Sequence, residues 1–181
     1  VYYNSSQVTN VSDIKSKVTS VLNTFSTSNI NKFGGRFKYS KLGQIIDNAD
    51  TSITSNITRV IIRRNMKVLL NQSAQYELCY GNAFKKNVGG FNIKSTGFTV
   101  ANQSGTLYFT DVPNSDNKMG TLSVVRESST ANEFIVVIKS AGSVDYEKGE
   151  IIVNTLNITS TVQPNNIIKI QAFPDSNDVI G

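Results

Sequence analysis

Near Ile53 the apolar residues of this chain change their spacing, and that change limits what it can fold into. In "VSDIKSKVTSVLNTF", Ile14, Val18, Val21, Leu22 and Phe25 recur at helical intervals, with Ser12 or Asp13 able to cap the start. "STSNINKFGG" breaks that pattern. A second helix is expected from Ser40, as its N-cap, to about Asp50, with Leu42, Ile45, Ile46 and Ala49 on one stripe. Gly43 inside it costs roughly 1 kcal/mol against alanine, so this helix depends on tertiary packing. Beyond Ile53 the apolar positions alternate. "NITRVIIRRNMKVLL" and "AQYELCYG" read as a long hairpin, and strands follow in "GFTVA", "GTLYFT", "GTLSVVRE", "NEFIVVIKS", "GEIIVNTLNIT" and "NIIKIQAF". The turns between them are "NQSG", "VPNSDNKMG", "SSTAN" and "EKG". The expected class is α+β: a two-helix plus long β-hairpin unit over residues 1–88, a mostly antiparallel β-rich unit over 89–173, and a tail over 174–181. "NVGGFN" is the expected joint.

Several function classes are excluded by residue type. The 181 residues contain no histidine and one cysteine, Cys79. The commonest general base, the commonest metal ligand and every Ser-His or Cys-His pair are therefore missing. Cys79 lies in an alternating run and is expected to be a small buried hydrophobe. The longest apolar run, Phe134 to Ile138, is far too short for a membrane span. The chain opens at Val1 rather than Met and is expected to be part of something longer. Its net charge of +5 is uneven, with 12 basic against 4 acidic residues in 1–90 and 6 against 9 in 91–181. That asymmetry fits head-to-tail association as readily as nucleic acid.

Two motifs invite a chemical reading. Gly34-Gly35 before a helix could suggest a phosphate loop, but no strand precedes the pair, and "RFKY" separates it from the helix. A structural turn is expected, with Phe33, Phe37 and Tyr39 anchoring the crossing. In "VDYEKGE", Asp145 and Glu147 would share a strand face about 6–7 Å apart, a spacing that overlaps that of paired catalytic acids. The same stretch is what a hairpin turn requires, with Gly149 at positive φ. In "TRVIIRRNMK", strand alternation would set Arg59 and Arg63 on one face and Arg64 on the other. These three are the expected polar subunit contacts. Six Asn-x-Ser/Thr sequons, at Asn4, Asn10, Asn56, Asn71, Asn102 and Asn157, are weak signs of a secreted glycoprotein.

Three stretches, taken in order, resemble one family. "FKYSKLGQIIDNADTSITSNITRVIIRR" is similar to a helix of the S-x-L-x-x-x-I-D-x-x-D type followed by a long strand. "YFTDVPNSDNKMGTLSVVR" resembles a strand, Asp-containing turn, Gly, strand unit. "GSVDYEKGEIIVNTLNI" resembles a G-x-[IV]-D-Y-x-x-G-x-[IV] hairpin, with a weaker echo in "FPDSNDVI". The family is the baseplate wedge subunit of T-even-type contractile-tailed phages, the gene-product-six or Baseplate J-like group. The likeness spans Phe37 to Ile180, and the first 30 residues carry little of it. The family's subunit is much longer, which would make this chain an internal or C-terminal fragment.

The resemblance implies a structural subunit rather than an enzyme. It would use no cofactor and would self-associate as dimers into the ring around the central hub of the baseplate. Its partners would be itself and other wedge and hub proteins, with no membrane and no nucleic acid. It would reside in the virion tail baseplate, and in the host cytoplasm during assembly. The alternatives are a β-rich tail-fibre or adhesin-like glycan-binding domain, and an enzyme using Asp145 and Glu147.

Overall fold

Asn10 starts the first helix. In this computed structural model, which describes residues 1–116, 118–130 and 133–180, its side-chain oxygen accepts from Ser12 N–H at 3.0 Å. The cap therefore lies before the expected Ser12 or Asp13, and Asp13 sits in the first turn, beside the positive end of the helix. Ahead of it, β1 (Tyr2–Tyr3) leads in, and α1 runs Val11–Phe25. The next residues do not break the helix at once. Ser26–Ile30 continue it as a π-turn, with Asn31 N–H donating to the Ser26 carbonyl at 2.8 Å. Gly34 then turns the chain at φ +69°. At Gly35 a Cβ would stand 2.2 Å from the Ile30 carbonyl oxygen. The glycine pair thus follows a helix C-terminus, whose carbonyl oxygens repel phosphate.

After β2 (Arg36–Phe37) comes α2, Tyr39–Asp47, and then β3 (Ile53–Ser55), which pairs antiparallel with β1. Ser40 lies inside α2 rather than capping it. The terminal position is Lys38, which makes no side-chain cap bond, and Asp178 Oδ1 accepts from Tyr39 N–H at 2.7 Å instead. A local pattern could not reveal this cap, because it comes from 139 residues away. Phe25, Leu42 and Ile46 form the buried centre of this part, with Val18, Leu22, Ile30, Phe37 and Ile45 packed around them. The Phe25 and Phe37 rings meet edge-on at 6.4 Å. Tyr39 donates its hydroxyl to the Thr58 carbonyl, but Phe33 is fully exposed and anchors nothing.

The remaining strands are β4 (Ile62–Lys67), β5 (Ser73–Cys79), β6 (Lys94–Ser95), β7 (Phe98–Val100), β8 (Tyr108–Pro113), β9 (Met119–Glu127), β10 (Phe134–Asp145), β11 (Glu150–Thr161) and β12 (Ile167–Ala172). All pair antiparallel. The larger sheet has the order β5-β11-β10-β9-β8, with β7 on the far end of β11, and a smaller one has the order β4-β12-β6. The expected long hairpin is therefore not formed: β4 pairs β12, and β5 pairs β11. Alternation shows that a strand has one buried face, but it does not name the partner. The later strands fall where the alternation put them, except that β10 runs on to Asp145. Within the expected turns, Asn117 and residues 131–132 lie outside the described residues, as does Gly181. Phe84, Phe98, Phe109 and Tyr146 are the largest fully buried side chains of this core, and Phe98 stacks on Phe109 at 4.5 Å.

The chain ends with β13 (Val179–Ile180), antiparallel to β2. The expected tail is thus paired with the first helical part. Two compact units result: Val1–Val60 with the stretch from Asn177, and Ile61–Ser176. This division differs from 1–88 and 89–173 because β4 and β5 carry core residues of the β-rich unit. Met66, Val68 and Leu78 all lie in its main cluster.

Two glycines should answer alanine in opposite directions. Around Gly43 the nearest atom to a Cβ is Asn56 Nδ2 at 3.8 Å, whereas at Gly149, with φ +70°, a Cβ would stand 1.9 Å from the Asn82 carbonyl oxygen. Gly43→Ala is expected to stabilise the first unit by about 0.5–1 kcal/mol. Gly149→Ala should cost the second roughly 2 kcal/mol. Urea unfolding followed by circular dichroism, read at helix and strand wavelengths, tests both signs.

Candidate assembly interface

The longest apolar run of the chain forms the first half of β10, and the structure does not bury it. Phe134, Ile135 and Val136 are 44%, 44% and 55% exposed, and Val137 and Ile138 are half-buried. On one side this segment pairs with β9: Phe134 faces Glu127, Ile135 faces Arg126 and Val136 faces Val125. On the other side β11 meets β10 only over Gly142–Asp145. Among the described residues, Phe134–Ile138 therefore has β9 as its sole strand partner. The register slips between Val136 and Ile138, and again before Gly142, so two bulges swing this half of β10 away from β11.

Beside it lies a cleft of about 360 Å³. Phe91 and Phe134 stand on its rim with ring centroids 5.6 Å apart, and Tyr108, Phe109 and Val125 line the wall. Phe91 is held at φ +61°, a conformation that a bulky side chain rarely adopts. The reason is its neighbour. Gly90, at φ +72°, is pressed so close to β8 that a Cβ would sit 2.3 Å from the Asp111 carbonyl oxygen. Phe91 N–H then donates to that same oxygen at 3.1 Å. Backbone strain here holds a partly exposed aromatic ring over the cleft. The Thr110 hydroxyl, also on the cleft wall, is buried without a hydrogen-bond partner among the described residues.

The residues expected as subunit contacts are not brought together by one strand. Arg59 precedes β4 and belongs to the first unit, while Arg63 and Arg64 are successive exposed residues of β4 in the second. The charge asymmetry between sequence halves also disappears when counted by unit. The first unit has 7 basic against 4 acidic residues and the second 11 against 9, giving +3 and +2.

Asp145 is committed to a turn. Its Oδ1 accepts from Glu147 N–H at 3.0 Å and Lys148 N–H at 2.9 Å, while Glu147 faces Lys118. The two carboxylates do not converge on a cleft. Cys79 is exposed rather than buried, and local desolvation together with Glu77 and Glu150 pushes its thiol up, away from the reactive thiolate. No described helix is long and apolar enough to cross a membrane, and the described residues hold no metal-ligating cluster of three.

Sequence reasoning missed Phe91 and the open edge of β10. The signal for the second was present in the run itself: five consecutive apolar residues do not alternate, as a strand with one wet face should.

Among the described residues, the second unit presents exposed apolar side chains on a strand segment that has a single strand partner. Residues 1–65 match the family model described as baseplate structural protein gp6, C-terminal domain III. The match covers 65 of the 181 residues and is consistent with the chain as a gp6-family fragment with a structural role in the phage baseplate. The family implies a place in the virion tail. No curated protein matches the chain. The match ends just inside β4 and includes the first 30 residues, where the sequence showed little resemblance. The hairpin stretches at 108–126 and 142–158 lie outside it.

Several fixed positions of those stretches have a physical task. In the first, Leu42 and Ile46 are core residues, and Asp47 accepts from Asn56 Nδ2 at 2.7 Å. Asp50 pairs with Lys17 and accepts from Ser52 N–H and Oγ–H. In the others, Asp116 accepts from Lys118 N–H, and a Cβ on Gly120 would meet the Tyr146 hydroxyl at 2.6 Å. At Gly142 a Cβ would stand 1.9 Å from the Ile152 carbonyl oxygen.

Asp50 gives this a pH test. The hydrogen bond from Lys17, then those from Ser52, hold its carboxyl far below the ordinary 3.8. A depressed folded-state pKa means stabilisation that is fully present above the unfolded value and lost as pH falls below it. In thermal melts from pH 7 to pH 2, the parent should be more stable than Asp50→Asn at neutral pH. The gap should close only below about pH 4.

Proposed function

We propose that this chain is a wedge-type structural segment of a contractile-tail baseplate that self-associates as part of the ring around the central hub. The observation that carries the proposal is the family match over residues 1–65, joined to an unburied apolar strand edge in the adjoining unit. A long apolar edge left open is an aggregation hazard in a free monomer, and covering it in an assembly removes the hazard. In this reading the energy of association comes from apolar and strand contacts. Charges, among them Arg59, Arg63 and Arg64, set register and partner choice. Other wedge and hub proteins are the further partners, assembly takes place in the host cytoplasm, and the segment works without catalysis.

Sedimentation velocity over a broad concentration range, at low and physiological salt, tests this. A dimer or larger species that grows with concentration is the expected result. Reversing Arg59, Arg63 and Arg64 to glutamate should weaken it, more at low salt than at high. Association unchanged by the reversals would remove the arginines from the interface. A strict monomer throughout would count against self-association of this segment.

A further inference from the structure

We propose that the open edge of β10 pairs antiparallel with the same edge of a second copy of this chain. This rests on the self-association reading above and assigns it a place and a register.

The edge differs from others in the fold. β4 also has a single strand partner, β12, but it carries exposed Arg63, Arg64 and Lys67, and charged side chains of this kind discourage strand addition. Over Phe134–Val136 the β10 edge carries none. It offers backbone groups without a second strand partner among the described residues, flanked by exposed apolar side chains, the arrangement that strand addition uses.

The charges at its two ends select the occupant. Glu133 and Lys139 are both exposed and lie three residues to either side of Val136. Neither makes an ion pair among the described residues. An antiparallel copy centred on Val136 sets Val136 against Val136 and brings the acidic, Glu133 end of each segment to the basic, Lys139 end of the other, with the bulge between Val136 and Ile138 lying just before Lys139. A parallel copy would set like charge against like. The segment is thus complementary to itself in one orientation, which is the condition for a twofold, closed pair. The result is a continuous sheet through β9 and β10 of one chain into β10 and β9 of the next, covering Phe134, Ile135 and Val136 in both.

The test uses the full chain with Cys79→Ser, so that no other thiol is present. Val136→Cys on this background should form a disulfide-linked dimer on mild oxidation, because residues facing each other across an antiparallel pair lie within disulfide reach. Glu133→Lys should weaken the dimer about tenfold in sedimentation velocity, and the double variant Glu133→Lys/Lys139→Glu should restore it. Val136→Lys, at an exposed position, should abolish the dimer while leaving the circular dichroism melt unchanged. A parent that dimerises, but whose dimer survives Val136→Lys and forms no Val136→Cys cross-link, overturns the edge assignment and leaves self-association standing. A parent that is monomeric at every concentration overturns both.

Discussion

The β-rich unit depends on one buried carboxylate. Asp111, on β8, is fully buried. Its Oδ1 accepts from Ile93 N–H and its Oδ2 from the Tyr146 hydroxyl, each at 2.7 Å. A buried charge without such donors would be strongly destabilising, so these bonds fix three segments that are far apart in sequence. Burial, reinforced by the Asp111 carboxylate, pushes the Tyr146 phenol well above its ordinary range, so it stays a donor at any physiological pH. Around it the backbone has no slack. Gly120 must be glycine to admit the Tyr146 ring, and Gly90 must be glycine to reach the Asp111 carbonyl. Removing the Tyr146 hydroxyl would leave half the carboxylate unsatisfied, a penalty of about 1–3 kcal/mol.

This anchor also explains why β10 is uneven along its length. Its Asp145 end is held by the turn, by β11 and by Tyr146, and from Ala141 to Val144 it is largely buried. Its Phe134 end leaves β11 across two bulges and keeps only β9. The loop that contributes Ile93 N–H to Asp111 also contributes Gly90 and Phe91, so the buried bond and the strained, exposed aromatic ring share a cause. Rigidity at one end of the strand permits exposure at the other. A loosely held strand with this composition would slip register or collapse onto its neighbours.

Helices, strands and most of the core were legible in the sequence because they follow from periodicity, which is local. Caps and strand partners were not, because they are set at long range. The carboxylate at the start of α2 comes from Asp178, and β4 and β5 find β12 and β11 rather than each other. Cys79 was misplaced because its residue type was weighed above strand alternation: Tyr76, Leu78 and Tyr80 take the inward face of this stretch, and Cys79 falls with Gln75 and Glu77 on the outer one. The asparagines show what composition conceals. Asn4 and Asn10 cap helical turns, Asn56 bonds across to α2, and Asn71, Asn102, Asn165 and Asn166 occupy left-handed backbone positions. Turn geometry of this kind accounts for an asparagine-rich chain without invoking glycans.

Charge is where sequence order misleads most. Halves of +8 and −3 suggest attraction between opposite ends of neighbouring molecules, yet the folded units carry +3 and +2, so neither unit is the opposite of the other in net charge. At physiological salt, exposed charges interact over only about 8 Å, so net unit charge has little reach across an interface. What can discriminate at that range is the position of single charges beside the surface that becomes buried. The apolar run of β10 supplies area without direction, since β-branched and aromatic side chains pack in either sense. Glu133 and Lys139, at opposite ends of that run, distinguish one sense from the other. Direction at such an edge is set by two residues, and affinity by the three exposed apolar residues, Phe134, Ile135 and Val136, that lie between them.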